Sequence, residues 1–347
     1  MYFGNTRLHL SAHGVAKVSS PSRRRAVAVE TTGTMSSTAL ITGACGFVAR
    51  HLADRLAAAG HSVAGIDMWS SCEIADIRYF QTGILDTTAL VSILSETRPD
   101  QVYHLAGVSY LPDADATPRA ALETNIVGTI SVLDAVRIAC PSSRVLVVGS
   151  SKEYGITSHD CVPESAPTTP TDFYGISKLC AELVGRQYSR HYNMDVRFTR
   201  SFNHTGPGQA PRFVCSEWAR KAAQIHQGAE EPFVSVGDVS YEIDFLDVRD
   251  VASAYALILD KGVSGEVYNV CSGATVALSW ILEYLLAKCG REVRVERADA
   301  KLRAHATSPR LAGDNSLLAR RTGWQRAIPL EKTLDDLFDY WCARPGK

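Results

Sequence analysis

The chain has 347 residues, 46% hydrophobic and 21% charged, with 36 Lys and Arg against 37 Asp and Glu for a net charge of −1. At roughly 150 residues per domain this is one large domain or two smaller ones with a sizeable core, which excludes a disordered or collagen-like chain. No run approaches the ~18 consecutive apolar residues of a membrane span, and the balanced charge argues against a nucleic-acid binder held by phosphate contacts.

Residues 1–35 read as a basic, disordered N-terminal extension. Arg7, Lys17, Arg23, Arg24 and Arg25 stand there against the single acid Glu30, which leaves the rest of the chain at −5. The segment is Ser-rich and lacks the apolar centre of a secretory signal, which leaves an organelle transit peptide or, favoured because the folded pattern begins right after Met35, an upstream extension with Met35 as the start. Residues 38–42 then read as a buried strand, 47–59 as an amphipathic helix closed by Gly60, and 61–67 as a second strand. A third strand is expected over 78–82, a helix over 87–96, a fourth strand over 101–106 and a long helix over 118–138. Residues 144–149 contain the apolar run Val145 to Val148 of a strand buried on both faces. A second long helix over 177–191 and a strand over 194–200 follow. Beyond Arg200 the alternation loosens: 201–240 is rich in Gly and Pro, 265–270 reads as a returning strand, and 278–289 and 330–341 as helices.

Strands alternating with helices at this spacing predict βαβ units and a parallel sheet covered on both faces. The expected fold class is therefore α/β: a Rossmann-type doubly wound parallel sheet over 36–200 and about 241–272, with a smaller C-terminal α+β substrate-binding domain from 201–240 and 273–347. The nine cysteines are scattered, odd in number and form no C-x-x-C pair or His cluster at ligand spacing. This pattern predicts reduced thiols in a cytoplasmic protein and no structural metal.

The first strand runs into Gly43-x-x-Gly46-x-x-Ala49. Between strand and helix, such a turn lets the backbone of Gly43, Cys45, Gly46, Phe47 and Val48 approach a pyrophosphate at the positive end of the helix dipole. Asp67 ends the second strand, 24 residues past Gly43, where a carboxylate accepts the ribose hydroxyls of NAD and repels a 2′-phosphate; NAD is favoured over NADP. Tyr174 and Lys178, four apart, share one helix face, and an ammonium there is expected to draw the phenol from about 10 toward neutrality. Ser150 and Ser151 stand at the carboxyl end of a strand, where hydroxyls can polarise a carbonyl.

These residues, with the His104-Leu105-Ala106-Gly107 strand end and Asn125, resemble the extended short-chain dehydrogenase/reductase superfamily over roughly residues 36–347. The segments 149–155, 202–209, 244–250 and 313–315 are similar to GDP-4-keto-6-deoxy-D-mannose reductases. The resemblance implies further cofactor contacts at Ile84, Leu105, Ala106, Gly107, Asn125, Lys178 and Phe202. It implies sugar-nucleotide contacts at Ser150, Asn203, His204, Arg212, Phe213, Val214, Lys221 and Arg303, the cations suiting phosphate oxygens. The implied reaction is NAD(P)H-dependent reduction of the C4 keto group of a nucleotide-linked 4-keto-6-deoxyhexose. Tyr174 acts as acid, Lys178 holds the nicotinamide ribose, and Ser150 or Ser151 polarises the carbonyl.

GDP-mannose 4,6-dehydratase, or another nucleotide-sugar epimerase or dehydratase, is the alternative within the superfamily. Dehydratases place a Glu base two residues before the Tyr of the Tyr-Gly pair. Here that position is Lys152, and Glu153, one residue nearer, would face the other way in an extended strand. Ile243 and residues 303–307 also depart from the family pattern on the substrate side, as does Gly83 near the adenine. A non-catalytic dinucleotide sensor is the alternative of another class, and the retained Tyr/Lys pair favours the enzyme. Two helices as long as 118–138 and 177–191 imply, by the same resemblance, a homodimer joined through a four-helix bundle, with a nucleotide sugar as ligand and neither nucleic acid nor membrane as partner.

Overall fold

The computed structural model describes residues 37–298 and 310–344, so the expectations for residues 1–35 and for Arg303 lie outside the described residues. In chain order the first part reads β1 (Thr38–Thr42), α1 (Phe47–Ala58), β2 (Ser62–Asp67), β3 (Arg78–Gln81), α2 (Thr87–Thr97), β4 (Gln101–His104), α3 (Leu111–Ala116) and α4 (Pro118–Leu122). A π-helical turn (Glu123–Val127) joins α4 to α5 (Gly128–Ala139), followed by β5 (Arg144–Ser150), a 3₁₀ turn (Ser151–Glu153), β6 (Cys161–Val162), α6 (Phe173–Tyr192) and β7 (Val196–Ser201). Then come β8 (Asn203–Thr205), α7 (Val214–His226), β9 (Phe233–Val236), β10 (Glu242–Asp247), α8 (Val248–Lys261) and β11 (Val267–Val270). The last elements are β12 (Thr275–Ala277), α9 (Leu278–Ala287), β13 (Arg294–Arg297), β14 (Arg310–Gly313), α10 (Ser316–Thr322) and α11 (Leu330–Cys342).

Seven strands form one parallel sheet in the order β11-β7-β5-β4-β1-β2-β3. Successive residues of a strand point to opposite faces, and the two cores record it. Ala39, Ile41 and Leu146 pack with Leu52 and Leu56 of α1 and Tyr255 and Leu259 of α8. Leu40, Val145 and Val147 pack on the other face with Leu90 and Leu94 of α2 and Leu133 and Val136 of α5. Fully burying such a side chain is worth about 1.5–3 kcal/mol, so both faces must be covered before the sheet is stable.

A second sheet is built around β10, antiparallel to β12 and parallel to β14 and β8, with β6 beyond β14. Strands β9 and β13 pair separately. A third core joins Trp218 of α7, Ile281 and Leu285 of α9, and Leu334, Leu337 and Trp341 of α11.

Boundaries differ from the sequence expectation where a side chain or a tertiary contact decides them. The helix carrying Tyr174 starts four residues before Ser177, because Asp172 caps it by accepting the Gly175 N–H at 2.7 Å. The expected long helix 118–138 is present as one run of helical backbone from Pro118 to Ala139, with a π turn at Glu123–Val127 that carries Asn125. Helices α7 and α8 both lie where the alternation loosens. In α8 the buried positions Val248, Val251, Ala252, Tyr255 and Leu259 recur at helical spacing.

Candidate active site

The carboxyl ends of β1, β4 and β5 bring the predicted residues to one edge of the sheet. Gly43 has φ +72°, and a β-carbon there would lie 2.8 Å from the backbone of Ala106, so β1 and β4 meet too closely for any side chain. The Gly43 and Ala44 N–H groups both donate to the Ile66 carbonyl. Gly46 is the N-cap of α1 and offers no side-chain cap, so the first turn of this helix presents backbone N–H groups to an anion. This cradle fits a dinucleotide pyrophosphate.

Asp67 secures the turn from β2. Its Oδ2 accepts the Cys45 N–H at 3.0 Å and its Oδ1 the Met68 N–H at 2.7 Å. A carboxylate has about four acceptor sites, so capacity for ribose hydroxyls remains. The Cys45 thiol donates to the Ser71 carbonyl at 3.4 Å, and burial pushes it up to about 12. It is a packing group of the turn and an unreactive one.

Beneath the turn is a pair of contacts that sequence reasoning missed. Buried His104 bridges the Thr42 hydroxyl (2.8 Å) and the Thr129 hydroxyl (3.0 Å), and Thr42 Oγ1 accepts the Ala106 N–H at 3.3 Å. Burial and the Lys178 charge hold His104 down to about 3, so it is neutral and structural. Only its place in the strand end 104–107 hinted at this in the sequence.

Asn125 ties the β4 loop to α6. Its Oδ1 accepts the Val108 N–H at 2.8 Å, and its Nδ2 donates to the Val108 carbonyl (3.1 Å) and to the Ser177 hydroxyl (2.8 Å). Gly107 lies against both Asn125 and Lys178: a β-carbon there would meet Asn125 Oδ1 at 2.6 Å and Lys178 Nζ at 3.5 Å. Ile84 is buried beneath Gly128.

Tyr174 is half-buried at the start of α6, with the Ser150 side chain near enough to favour its phenolate. Burial pushes the phenol up to about 12 against the pull of Ser150. This corrects the expectation of a phenol near neutrality. The Lys178 ammonium instead donates to the Val148 carbonyl at 2.9 Å, and burial pulls it down to about 8. Near pH 7 the pair is therefore phenol and ammonium, the protonation state of an acid. Ser151 is buried next to Ser150 within the 3₁₀ turn.

Glu153 is turned away from any base role for a different reason than strand alternation. It belongs to the 3₁₀ turn, where its Oε1 accepts the Ser150 N–H at 2.8 Å and its Oε2 faces Arg200 at 3.3 Å, fully buried.

On the substrate side, β8 exposes Asn203 and half-buries His204, whose ring stacks on Phe47 of α1 with centroids 6.2 Å apart. His51 Nε2 hydrogen-bonds the Pro207 carbonyl at 2.9 Å, so α1 and the 203–208 segment are joined twice. Arg212 pairs with Asp113 at 2.7 Å and lies over the rings of Tyr110 and Phe213. Val214 opens α7 and packs on the third core. Two residues are placed differently from the rest. Phe202 is buried in a small core with Tyr154, Val162 and Cys271, so its side chain packs the interior, and Lys221 is paired with Glu230. Ile243, too, packs on the third core.

A parallel doubly wound sheet with a glycine turn at the first crossover and a Ser–Tyr–Lys cluster at its carboxyl edge defines an NAD(P)-dependent oxidoreductase of the extended short-chain dehydrogenase/reductase class. A sequence profile described as GDP-mannose 4,6 dehydratase matches residues 40–337, and the chain belongs to that family. GDP-6-deoxy-D-mannose reductase of Pseudomonas aeruginosa is 34% identical over 312 residues, covering 89% of this chain and 99% of that protein. UDP-glucose 4-epimerase of Mycolicibacterium smegmatis is 26% identical, covering 87% of this chain and 97% of that protein. The solved structure of RMD from Pseudomonas aeruginosa complexed with NADPH superposes with a TM-score of 0.80 at 32% identity, over 89% of this chain and 100% of that one.

Proposed function

We propose that this protein reduces the C4 keto group of a GDP-linked 4-keto-6-deoxyhexose to give a GDP-6-deoxyhexose such as GDP-rhamnose, with NADPH or NADH as cofactor. The observation that carries this reading is the acid-state pair of Tyr174 and Lys178 beside Ser150, with Lys152 rather than a carboxylate at the dehydratase base position. The similarity to a GDP-6-deoxy-D-mannose reductase and to a structure complexed with NADPH supports the substrate and the cofactor. The nicotinamide supplies the hydride when the cofactor is bound. Ser150 orients the carbonyl oxygen, Tyr174 gives that oxygen its proton as the alcohol forms, and Lys178 keeps the positive charge beside the phenol. The turn at residues 43–48 and Asp67 hold the adenosine and pyrophosphate. Asn203, His204 and Arg212 contact the nucleotide sugar, within a substrate-binding domain formed by 201–240 and 273–347.

The protein acts in this reading as a cytoplasmic homodimer. In support of the assembly, Val127 at the end of the π turn, Ile138 on α5, and Phe173, Ile176 and Leu183 on α6 are exposed apolar residues on the two long helices. In support of a reducing compartment, none of the nine cysteines is paired. Incubating the purified protein with GDP-4-keto-6-deoxymannose and either reduced cofactor tests the activity: cofactor oxidation supports it. Conversion of GDP-mannose to a 4-keto product would instead establish a dehydratase, and cofactor binding without turnover of any nucleotide sugar would establish a sensor.

A further inference from the structure

Three charged side chains that the catalytic roles leave unused are buried together behind the serine turn: Glu153, Glu182 and Arg200 are 0%, 3% and 5% exposed. The Arg200 guanidinium forks onto Glu182, with Nε and Nη2 each 2.9 Å from one of its oxygens. It also reaches Glu153 Oε2 at 3.3 Å and the Glu164 carbonyl at 3.1 Å, and it lies over the Tyr154 ring. The far oxygen of Glu153 accepts the Ser150 N–H at 2.8 Å. Gly149 makes the room: a β-carbon there would fall 2.3 Å from Glu153 Oε1 and 2.4 Å from the Thr199 carbonyl.

Glu153 and Glu182 both meet the Arg200 guanidinium in this buried site, and Glu182 also accepts from Arg186 Nε at 2.9 Å. Burial and the neighbouring Glu182 push Glu153 well up, while the Arg200 fork pulls Glu182 down. Of the groups around Glu153, Glu182 and Arg200 touch it directly, Ser150 donates to it, and Tyr174 and Lys178 feel its charge.

We infer that Glu153 is a positioning residue for the carbonyl reduction proposed above: wedged beside Gly149 and anchored through Arg200 and Glu182, it fixes the 3₁₀ turn from which Ser150 meets Tyr174. It acts through Ser150 and touches neither cofactor nor substrate. The inference rests on the reductase reading for its kinetic readout alone.

The test compares Glu153→Leu with Glu153→Gln, whose amide oxygen can still accept from Ser150. Glu153→Leu lowers kcat between about 10- and 100-fold, as expected for a misplaced catalytic group, with KM for the sugar nucleotide and Kd for NADPH within about threefold. Glu153→Gln restores most of kcat. Wild-type kcat in Glu153→Leu, a loss carried by KM, or no rescue by glutamine overturns the inference. A second readout needs no substrate. With 13C-labelled tyrosine, the Tyr174 resonance, assigned from Tyr174→Phe, shifts in Glu153→Leu and returns in Glu153→Gln; an unmoved resonance overturns the inference. Glu153→Met replaces Glu153→Leu if that variant does not fold. If the wild-type protein turns over no keto sugar, the reductase reading fails and the resonance decides the positioning role by itself.

Discussion

Lys178 Nζ donates to the Val148 carbonyl across 2.9 Å, one strand residue before the glycine that leads into Ser150. The buried ammonium is thereby held at the end of β5, one helical turn from Tyr174, and its charge rests on a carbonyl dipole where a carboxylate would be the usual partner of a buried lysine. Burial separates the two groups that the sequence pairs: it raises the phenol to about 12 and lowers the ammonium to about 8.

Removing the acid alone isolates its share of the chemistry. Tyr174→Phe should lower kcat by about 10²–10⁴-fold, the range for a positioned general acid, while NADPH still binds. Cofactor oxidation at 340 nm measures the first, and quenching of protein fluorescence on titration the second.

The pH dependence follows from Lys178. Activity should fall as pH rises through about 8, where the ammonium loses its proton, and not through deprotonation of Tyr174, which keeps its proton to about 12. A wild-type kcat/KM profile whose basic limb lies near 8 checks this assignment, and a profile flat from pH 7 to 9 overturns it.

The same residue predicts a stability effect of opposite sign to its use. Its ammonium titrates near 10.4 when unfolded and about 8 when folded, so the unfolded chain binds more protons between those values. Its contribution to stability therefore rises with pH across that window and is a full cost below about 8. Lys178→Met should stabilise the protein by roughly 1–3 kcal/mol at pH 7 while abolishing turnover, as read from the urea midpoint.

Gly43→Ala tests the cofactor cradle. With φ +72° and 2.8 Å to the Ala106 backbone, an alanine must either strain β1 or part it from β4. A loss of about 1–3 kcal/mol in unfolding free energy and of measurable NADPH binding is expected.

A single charge on the α5/α6 face addresses assembly. Under the proposed assembly, Leu183→Glu, at a position 52% exposed, should leave only monomer by light scattering without lowering the midpoint of unfolding of the isolated subunit.

The alternation of apolar runs with helical periodicity was enough to determine the parallel sheet. So was the spacing that sets Gly43, Gly46, Asp67, Ser150, Tyr174 and Lys178 at strand ends and at a helix start. These are local signals, since a strand buried on both faces must be apolar throughout and a phosphate turn must be glycine where backbone meets backbone. Tertiary structure alone decided what depends on distant neighbours. The direction in which burial moves Tyr174, and the Val148 carbonyl that takes Lys178, come from the packing of α6 on β5. The His104 bridge between Thr42 and Thr129 joins residues that are 62 and 25 positions from it in the chain. Glu153 finds Arg200 and Glu182 only because β5, β7 and α6 converge, so a sequence in which it reads as a displaced base folds into one in which it supports a serine. Periodicity reports which face of an element is buried; desolvation and charge depend on what that face meets, and only the assembled sheet supplies that.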